Sequence, residues 1–283
     1  MISYRHHIVS LVAVFLALAV GVALGGGPLS DLGRDDKPVS APTTQKRQVT
    51  PAAAYGDAFA TASAAALYAN GLRDRAVSLV TMPGADADTV SALGAQVEEA
   101  GGIIAGTYDV QPALTDDHEK SLVDTLGSQL AEQLGAGAVS GDVSTYVRIG
   151  QLLGLAVSGG ADLPSSEALT VRQGLAGAEL LTSPEDAVRA PAVLVVLGDD
   201  TNPAILSGMV TGLADKATGV VVAGSAAGLA DLRAESDAGK AATVDGVDDP
   251  LGQVTAVLAV IRSFSVQGGS FGASGSDGAV PIP

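Results

Sequence analysis

The chain has 283 residues, no cysteine, no tryptophan, 3% aromatic residues and a formal charge of −16 at pH 7, the whole acidic excess lying from Pro38 onward. These features exclude disulfides, a thiolate nucleophile and zinc-finger or iron–sulfur sites, and they argue against nucleic acid or anionic lipid as a partner. The length beyond the leader, about 245 residues, is enough to bury a core without covalent staples.

Residues Ile8 to Gly27 carry no charged side chain. At about 1.5 Å rise per residue, such a helix is about 30 Å long and matches the hydrocarbon core of a bilayer. A single transmembrane anchor is therefore predicted over 8–27, with Ile8, Leu11, Val14, Phe15, Leu18, Gly21 and Gly25 as membrane positions. Gly21 and Gly25 form a small-xxx-small pair suited to helix packing, and hence to a homo-oligomer through this segment. Arg5, His6 and His7 precede the run, whereas Arg34 and Lys37 follow it among Asp31, Asp35 and Asp36. That distribution keeps the leader, 1–7, in the cytoplasm and places the rest outside it. Cleavage after Ala17-Leu18-Ala19 is the competing reading, with the same export outcome. Apolar residues continuing through Val20, Val22 and Leu24 favour the uncleaved anchor.

Residues 28–50 contain Pro28, Pro38 and Pro42 and no heptad, and read as a flexible tether. An alanine-rich helix is predicted from Pro51 to Asn70. The strand Ala76 to Met82, the turn Pro83-Gly84, a helix from Asp86 to Ala100 and the strand Ile103 to Val110 then make one parallel crossover unit. Helices follow at Thr115 to Leu134, Val143 to Val157 and Ser165 to Leu175, with no strand evident among them. Alternation resumes with the apolar strand Ala192 to Leu197, the helix Pro203 to Lys216, strands Gly219 to Ala223 and Ala242 to Val244, and a helix from Asp249 to Phe264. The glycine- and serine-rich tail, 267–283, reads as disordered. The pattern predicts an extracytoplasmic α/β domain over 51–266, a three-layer arrangement with a mostly parallel sheet and a helical insertion, rather than a transmembrane barrel.

Few residues invite chemistry. The turns Gly198-Asp199-Asp200-Thr201-Asn202-Pro203 and Gly224-Ser225-Ala226-Ala227-Gly228 follow strands, where doubly wound sheets place ligands. Two aspartates disfavour an anion at the first, and the second lacks a Gly-x-Gly-x-x-Gly or P-loop pattern. Asp199 and Asp200, together with Asp245, Asp248 and Asp249, are candidates for a hard-oxygen cation site, against which stand helix capping and solubility. Asp116, Asp117, His118 and Glu119 cannot all converge from consecutive helical positions, and read as a solvated first turn. Soft ligands are scarce: three histidines, three methionines and no cysteine. His6-His7 read as interfacial residues beside the anchor. Ser225 lacks a nucleophile elbow and His118 has no visible tie to it, so no enzyme is expected.

The opening stretch Met1-Ile2-Ser3-Tyr4-Arg5-His6-His7-Ile8-Val9-Ser10-Leu11-Val12-Ala13-Val14-Phe15, continuing to Gly21, resembles the start of the actinobacterial MctB family. Similarity extends to Ala76-Val77-Ser78-Leu79-Val80-Thr81-Met82-Pro83-Gly84-Ala85, to Glu99-Ala100-Gly101-Gly102, and to Thr243-Val244-Asp245-Gly246-Val247-Asp248. The resemblance implies an envelope protein of copper homeostasis, a channel in the outer membrane that lowers intracellular copper, with copper as transported ion. It also implies kinship with corynebacterial proteins that assist activation of cell-wall hydrolases at division through a coiled coil after the anchor. Residues Leu29 to Thr50 show no heptads. No copper-ligand motif carries over, so neither a cofactor nor a copper ligand is assigned. A channel built from one helix per chain requires several protomers; a membrane-anchored scaffold with an envelope protein partner requires none.

Overall fold

The computed structural model describes residues 50–282 except 136, 141, 161–163, 199–200 and 236–238. The predicted leader, anchor and all but the last residue of the tether lie outside the described residues. Thr50 caps helix α1 (Pro51–Tyr68), its Oγ1 accepting the Ala53 amide at 3.3 Å, with Pro51 in the first turn. The helix stops where Ala69 takes a left-handed conformation, φ 49°.

Strand β1 (Ala76–Thr81), α2 (Ala87–Glu99) and β2 (Ile103–Val110) form the predicted parallel crossover. The predicted helix from Thr115 is divided: α3 (Pro112–Thr115), a single 3₁₀ turn at Asp117–Glu119, and α4 (Lys120–Leu134). Helices α5 (Thr145–Val157) and α6 (Ser166–Gly177) follow, then a two-residue strand, β3 (Leu181–Thr182), which pairs antiparallel with β2. Strand β4 (Ala192–Val196), α7 (Pro203–Ala214), β5 (Gly219–Gly224), α8 (Ala226–Ala234), β6 (Ala242–Asp245), α9 (Pro250–Ser263) and β7 (Gly269–Phe271) complete the chain. The sheet order is β3-β2-β1-β4-β5-β6-β7, parallel except at β2–β3.

The continuous apolar strands are explained by burial on both faces. In β4, Ala192, Leu194 and Val196 enter the core shared with α1, α2 and α9, whereas Val193 and Val195 enter the core shared with α5, α7 and the insertion. The sheet is thus the middle of three layers, as the alternation of elements predicts.

Two readings of the C-terminal region are corrected. The segment expected to be disordered supplies β7, paired parallel to β6 through Ala242–Gly269, Thr243–Ser270 and Val244–Phe271. The domain therefore continues past residue 266. Helix α9 packs in the same core as α2, whereas α7 and α8 pack in the opposite one. The β6–α9–β7 crossover therefore has the hand opposite to β4–α7–β5 and β5–α8–β6, a departure from the usual uniform handedness.

Candidate functional site

The strand order reverses between β1 and β4, so the crevice beyond their C-terminal ends is where a doubly wound sheet would hold a ligand. A cavity of about 120 Å³ lies there, lined by Gly84, Asp86, Thr89, Gly198, Ser225 and Asp248 among others. Two of its polar side chains, Asp86 and Ser225, already serve the helices around it. Asp86 accepts the Thr89 amide at 2.8 Å and its hydroxyl at 2.9 Å, capping α2, and these bonds hold the Asp86 carboxyl below its ordinary pKa. Ser225 accepts the Gly228 amide at 3.1 Å, capping α8.

The crevice is also narrowed by backbone. A β-carbon on Gly198 would stand 2.0 Å from the Pro83 carbonyl oxygen, so the loops after β1 and β4 touch directly. Among the described residues the space is smaller than the roughly 300–1,000 Å³ of ordinary small-molecule pockets.

Of the sequence-predicted cation residues, Asp199 and Asp200 lie outside the described residues. Asp248 borders the crevice, and Asp249 stands one residue before α9, its backbone carbonyl receiving the Gln253 amide. Asp245 is not available as a ligand. It is 2% exposed, and its Oδ1 accepts the Ala273 amide at 2.7 Å. Its Oδ2 accepts from Arg233 Nη1 at 2.8 Å, from the Ser274 amide at 3.0 Å and from the Ser274 hydroxyl. Burial pushes this carboxyl up, and the hydrogen bonds from Ser274, Arg233 and Ala273 outweigh it, so the net shift is downward. Arg233 also bonds Thr243 Oγ1 and the Phe271 carbonyl, at 2.9 and 2.7 Å. Asp245, at the end of β6, thus clamps the segment after β7. Among the described residues no three His, Cys, Asp or Glu side chains group as a metal site.

In the acidic turn before α4, Asp116 accepts the His118 amide at 2.9 Å and Asp117 accepts from Asn202 Nδ2 at 3.0 Å. The second bond ties the helical insertion to the turn after β4. Another charged residue works as a strut: buried Arg172 donates to the Ala156 and Ala187 carbonyls at 2.9 and 2.6 Å and to the Tyr108 hydroxyl. Neither role was visible from spacing, because the partners lie far apart in sequence.

The remaining candidates are surfaces. An open groove of about 650 Å³ is lined by Leu67, Leu258, Ile261, Val266, Phe271 and Ile282. On α1, Tyr55 is 75% and Phe59 59% exposed. Among the described residues no helix is long and apolar enough to cross a membrane; the positions predicted to do so, Ile8, Leu11, Val14, Phe15, Leu18, Gly21 and Gly25, lie outside them.

Comparison with known proteins adds a match over residues 1–282 to the model of the MctB family, described as copper transport outer membrane protein. Proteins named copper transporter MctB share 29% identity with this chain in Mycobacterium tuberculosis and Mycobacterium bovis, over 92% of each sequence. The Mycobacterium leprae protein of that name is 30% identical over 91% of this chain and 92% of its own length.

Proposed function

Because the chain belongs to the MctB family, we propose that it serves copper homeostasis at the cell envelope and lowers the copper content of the cell. The observation that carries this reading is the match over almost the entire chain, which includes the apolar N-terminal run as well as the domain. In this reading Ile8–Gly27 spans the membrane, the domain lies outside the cytoplasm, and copper is cargo rather than a resident cofactor. The scarcity of sulfur and imidazole ligands, three methionines, three histidines and no cysteine, supports transient passage over tight storage. Passage along single helices needs several protomers, which Gly21 and Gly25 would bring together.

A second reading has its own support. The narrow switch-point crevice and the apolar surface of α1 suit a non-catalytic, membrane-anchored scaffold that engages an envelope protein, such as a regulator of cell-wall hydrolases in division. The two readings separate in one experiment. Total cell copper is measured in a strain lacking the protein, restored with the full chain or with a chain whose Ile8–Gly27 segment is exchanged for an unrelated anchor. A rise on deletion corrected only by the native segment supports transport through the helix. Correction by both chains places the copper role in the domain, and unchanged copper overturns the first reading in favour of the scaffold.

A further inference from the structure

We propose that the groove along the end of α9 binds a single-chain anionic amphiphile, a long-chain carboxylate whose hydrocarbon lies in the groove and whose head meets Arg262. The groove holds about 650 Å³, within the roughly 300–1,000 Å³ of small-molecule pockets. Separate parts of the chain build it. Leu258 and Ile261 stand one turn apart on one face of α9, and Phe271 comes from β7. Leu67 of α1, Val266 and the tail residue Ile282 complete the apolar lining. Leu258 and Phe271 are buried, whereas Leu67, Val266 and Ile282 are 39%, 49% and 56% exposed, so a dry floor lies among open apolar rims. Apolar surface gathered in this way, rather than scattered singly, marks a binding surface. The tail wall is fixed by its own bonds: Ala279 accepts the Gly272 amide at 3.1 Å, and Val280 accepts the Ile282 amide at 2.9 Å.

The occupant follows from the charges at the groove. Arg262 Nη1 donates to the Gly268 carbonyl at 2.6 Å, and the guanidinium carbon lies 5.3 Å from the centroid of the Phe271 ring. These contacts hold the guanidinium against the floor. Among the described residues no hydrogen bond takes its Nε or Nη2, and the ion pairs use Arg148, Arg233 and Lys240 instead. The edge carrying those two nitrogens has the fork that a carboxylate fills with two bonds. Arg75, its guanidinium carbon 4.0 Å from the Phe264 ring centroid, adds a second cation at the same end of α9. Two full charges outweigh the partial charge of a helix C-terminus, about half a unit. Among the described residues Asp277 is the carboxylate that lines the groove, and its Oδ2 accepts the Ser270 amide at 2.8 Å. The net charge of −16 opposes an anionic bilayer, which presents many like charges over a wide area. A single head group responds to the charges within a Debye length, about 10 Å at 0.1 M salt. A protein partner needs about 800 Å² on each side, whereas the apolar residues here are gathered in one concavity. Each methylene withdrawn from water favours binding about fourfold, so the hydrocarbon supplies affinity and Arg262 supplies the choice of head. The inference rests on neither reading of the function.

The test uses the full chain in an unfractionated cell lysate, membranes included, depleted of ATP so that no acyl chain is activated and esterified. The probe is hexadecanoic acid bearing a diazirine within the chain and a terminal alkyne. Irradiation should attach it to Leu67, Ile261, Val266 or Ile282, located by mass spectrometry, at least fivefold more than the alcohol of the same length and substitution. Unlabelled hexadecanoate should compete. Arg262→Gln should remove the preference for acid over alcohol. Val266→Asp, at an exposed position, should lower labelling by the acid at least tenfold while leaving the melting temperature unchanged. No labelling at these residues, equal labelling by acid and alcohol, or insensitivity to Val266→Asp each overturns the site. Equally strong labelling of the same residues by a diazirine phosphatidylcholine also overturns it, and assigns the groove to the bilayer instead.

Discussion

Helices α5 and α7 meet closer than side chains allow. A β-carbon at Gly150 would stand 2.2 Å from the Met209 carbonyl oxygen, and one at Gly212 would stand 2.1 Å from the Val147 carbonyl oxygen. Gly150 and Gly154 on one helix, and Gly208 and Gly212 on the other, repeat the four-residue spacing that lets backbones touch in membrane helix pairs. Here the spacing serves the interior of the domain. The obstructing atoms are carbonyls of well-formed helices, so neither partner can swing aside as a flexible side chain would. Gly150→Ala and Gly212→Ala should each lower unfolding stability by about 1–3 kcal/mol, the range for overpacking a core, in urea titrations of the full chain. A loss below about 0.5 kcal/mol, the level of a neutral surface change, would show that the helices can separate without cost. The glycine pairs are plain in the sequence, but periodicity alone reads them as weak helix formers; only a facing helix gives them a purpose.

At the scale of elements, the C-terminal strand is held by electrostatics as much as by its short pairing with β6. Arg233 from α8 and Asp245 from β6 form an ion pair at 2.8 Å, and the segment after β7 donates two amides to the same carboxylate. The edge of β7 is covered in turn: Asp277 accepts the Ser270 amide at 2.8 Å, and Ala279 accepts the Gly272 amide at 3.1 Å. Such covering removes a free sheet edge. Asp245→Asn would leave the Arg233 guanidinium without its counter-charge, an effect of about 3 kcal/mol for a largely buried pair. The pH dependence has a definite sign. Since the folded carboxyl lies below its ordinary value of 3.8, its contribution is complete above that pH and fades as pH falls through the folded value. The gap between wild type and Asp245→Asn should therefore stay constant from pH 7 to about 5 and narrow below about 4, as read from chemical denaturation at each pH. A gap independent of pH down to 2 would mean that the pair contributes through shape alone. This clamp also explains why the composition of the tail points to disorder while its structure is ordered. Glycine- and serine-rich composition signals disorder when a segment must hold itself together, whereas β7 borrows its order from a buried carboxylate and an arginine supplied by other elements. The long apolar strands, by contrast, were legible because burial on both faces leaves its mark in the local sequence. Strand β3, two residues long, and the reversed β6–α9–β7 crossover leave no such mark.

For the molecule as a whole, the opposing quantities are an acidic excess of −16 and a core with apolar residues on both faces of one sheet. Like charges distributed over a surface repel and favour expansion, and the repulsion is screened over about 10 Å at 0.1 M salt. Melting temperature should therefore rise between about 10 mM and 300 mM sodium chloride, a range that shortens the Debye length from about 30 Å to below 10 Å. Calcium gives a sharper comparison. A built site with three or more oxygen ligands would stabilise the folded state by RT ln(1 + [L]/Kd) and show a dependence on free calcium at constant ionic strength. Five of the described carboxylates are differently employed: Asp86 and Asp116 cap, Asp117 holds Asn202, Asp245 holds the tail, and Asp215 accepts from Lys240 at 2.8 Å and from Gln151 at 3.2 Å. Sodium and calcium at matched ionic strength should thus give similar melting temperatures, with no saturable calcium step in the low-millimolar range. A saturable step abolished by Asp199→Ala or Asp248→Ala would overturn that expectation, because diffuse screening cannot depend on one carboxylate, and it would place a hard-cation site at the turns beyond β4 and β6.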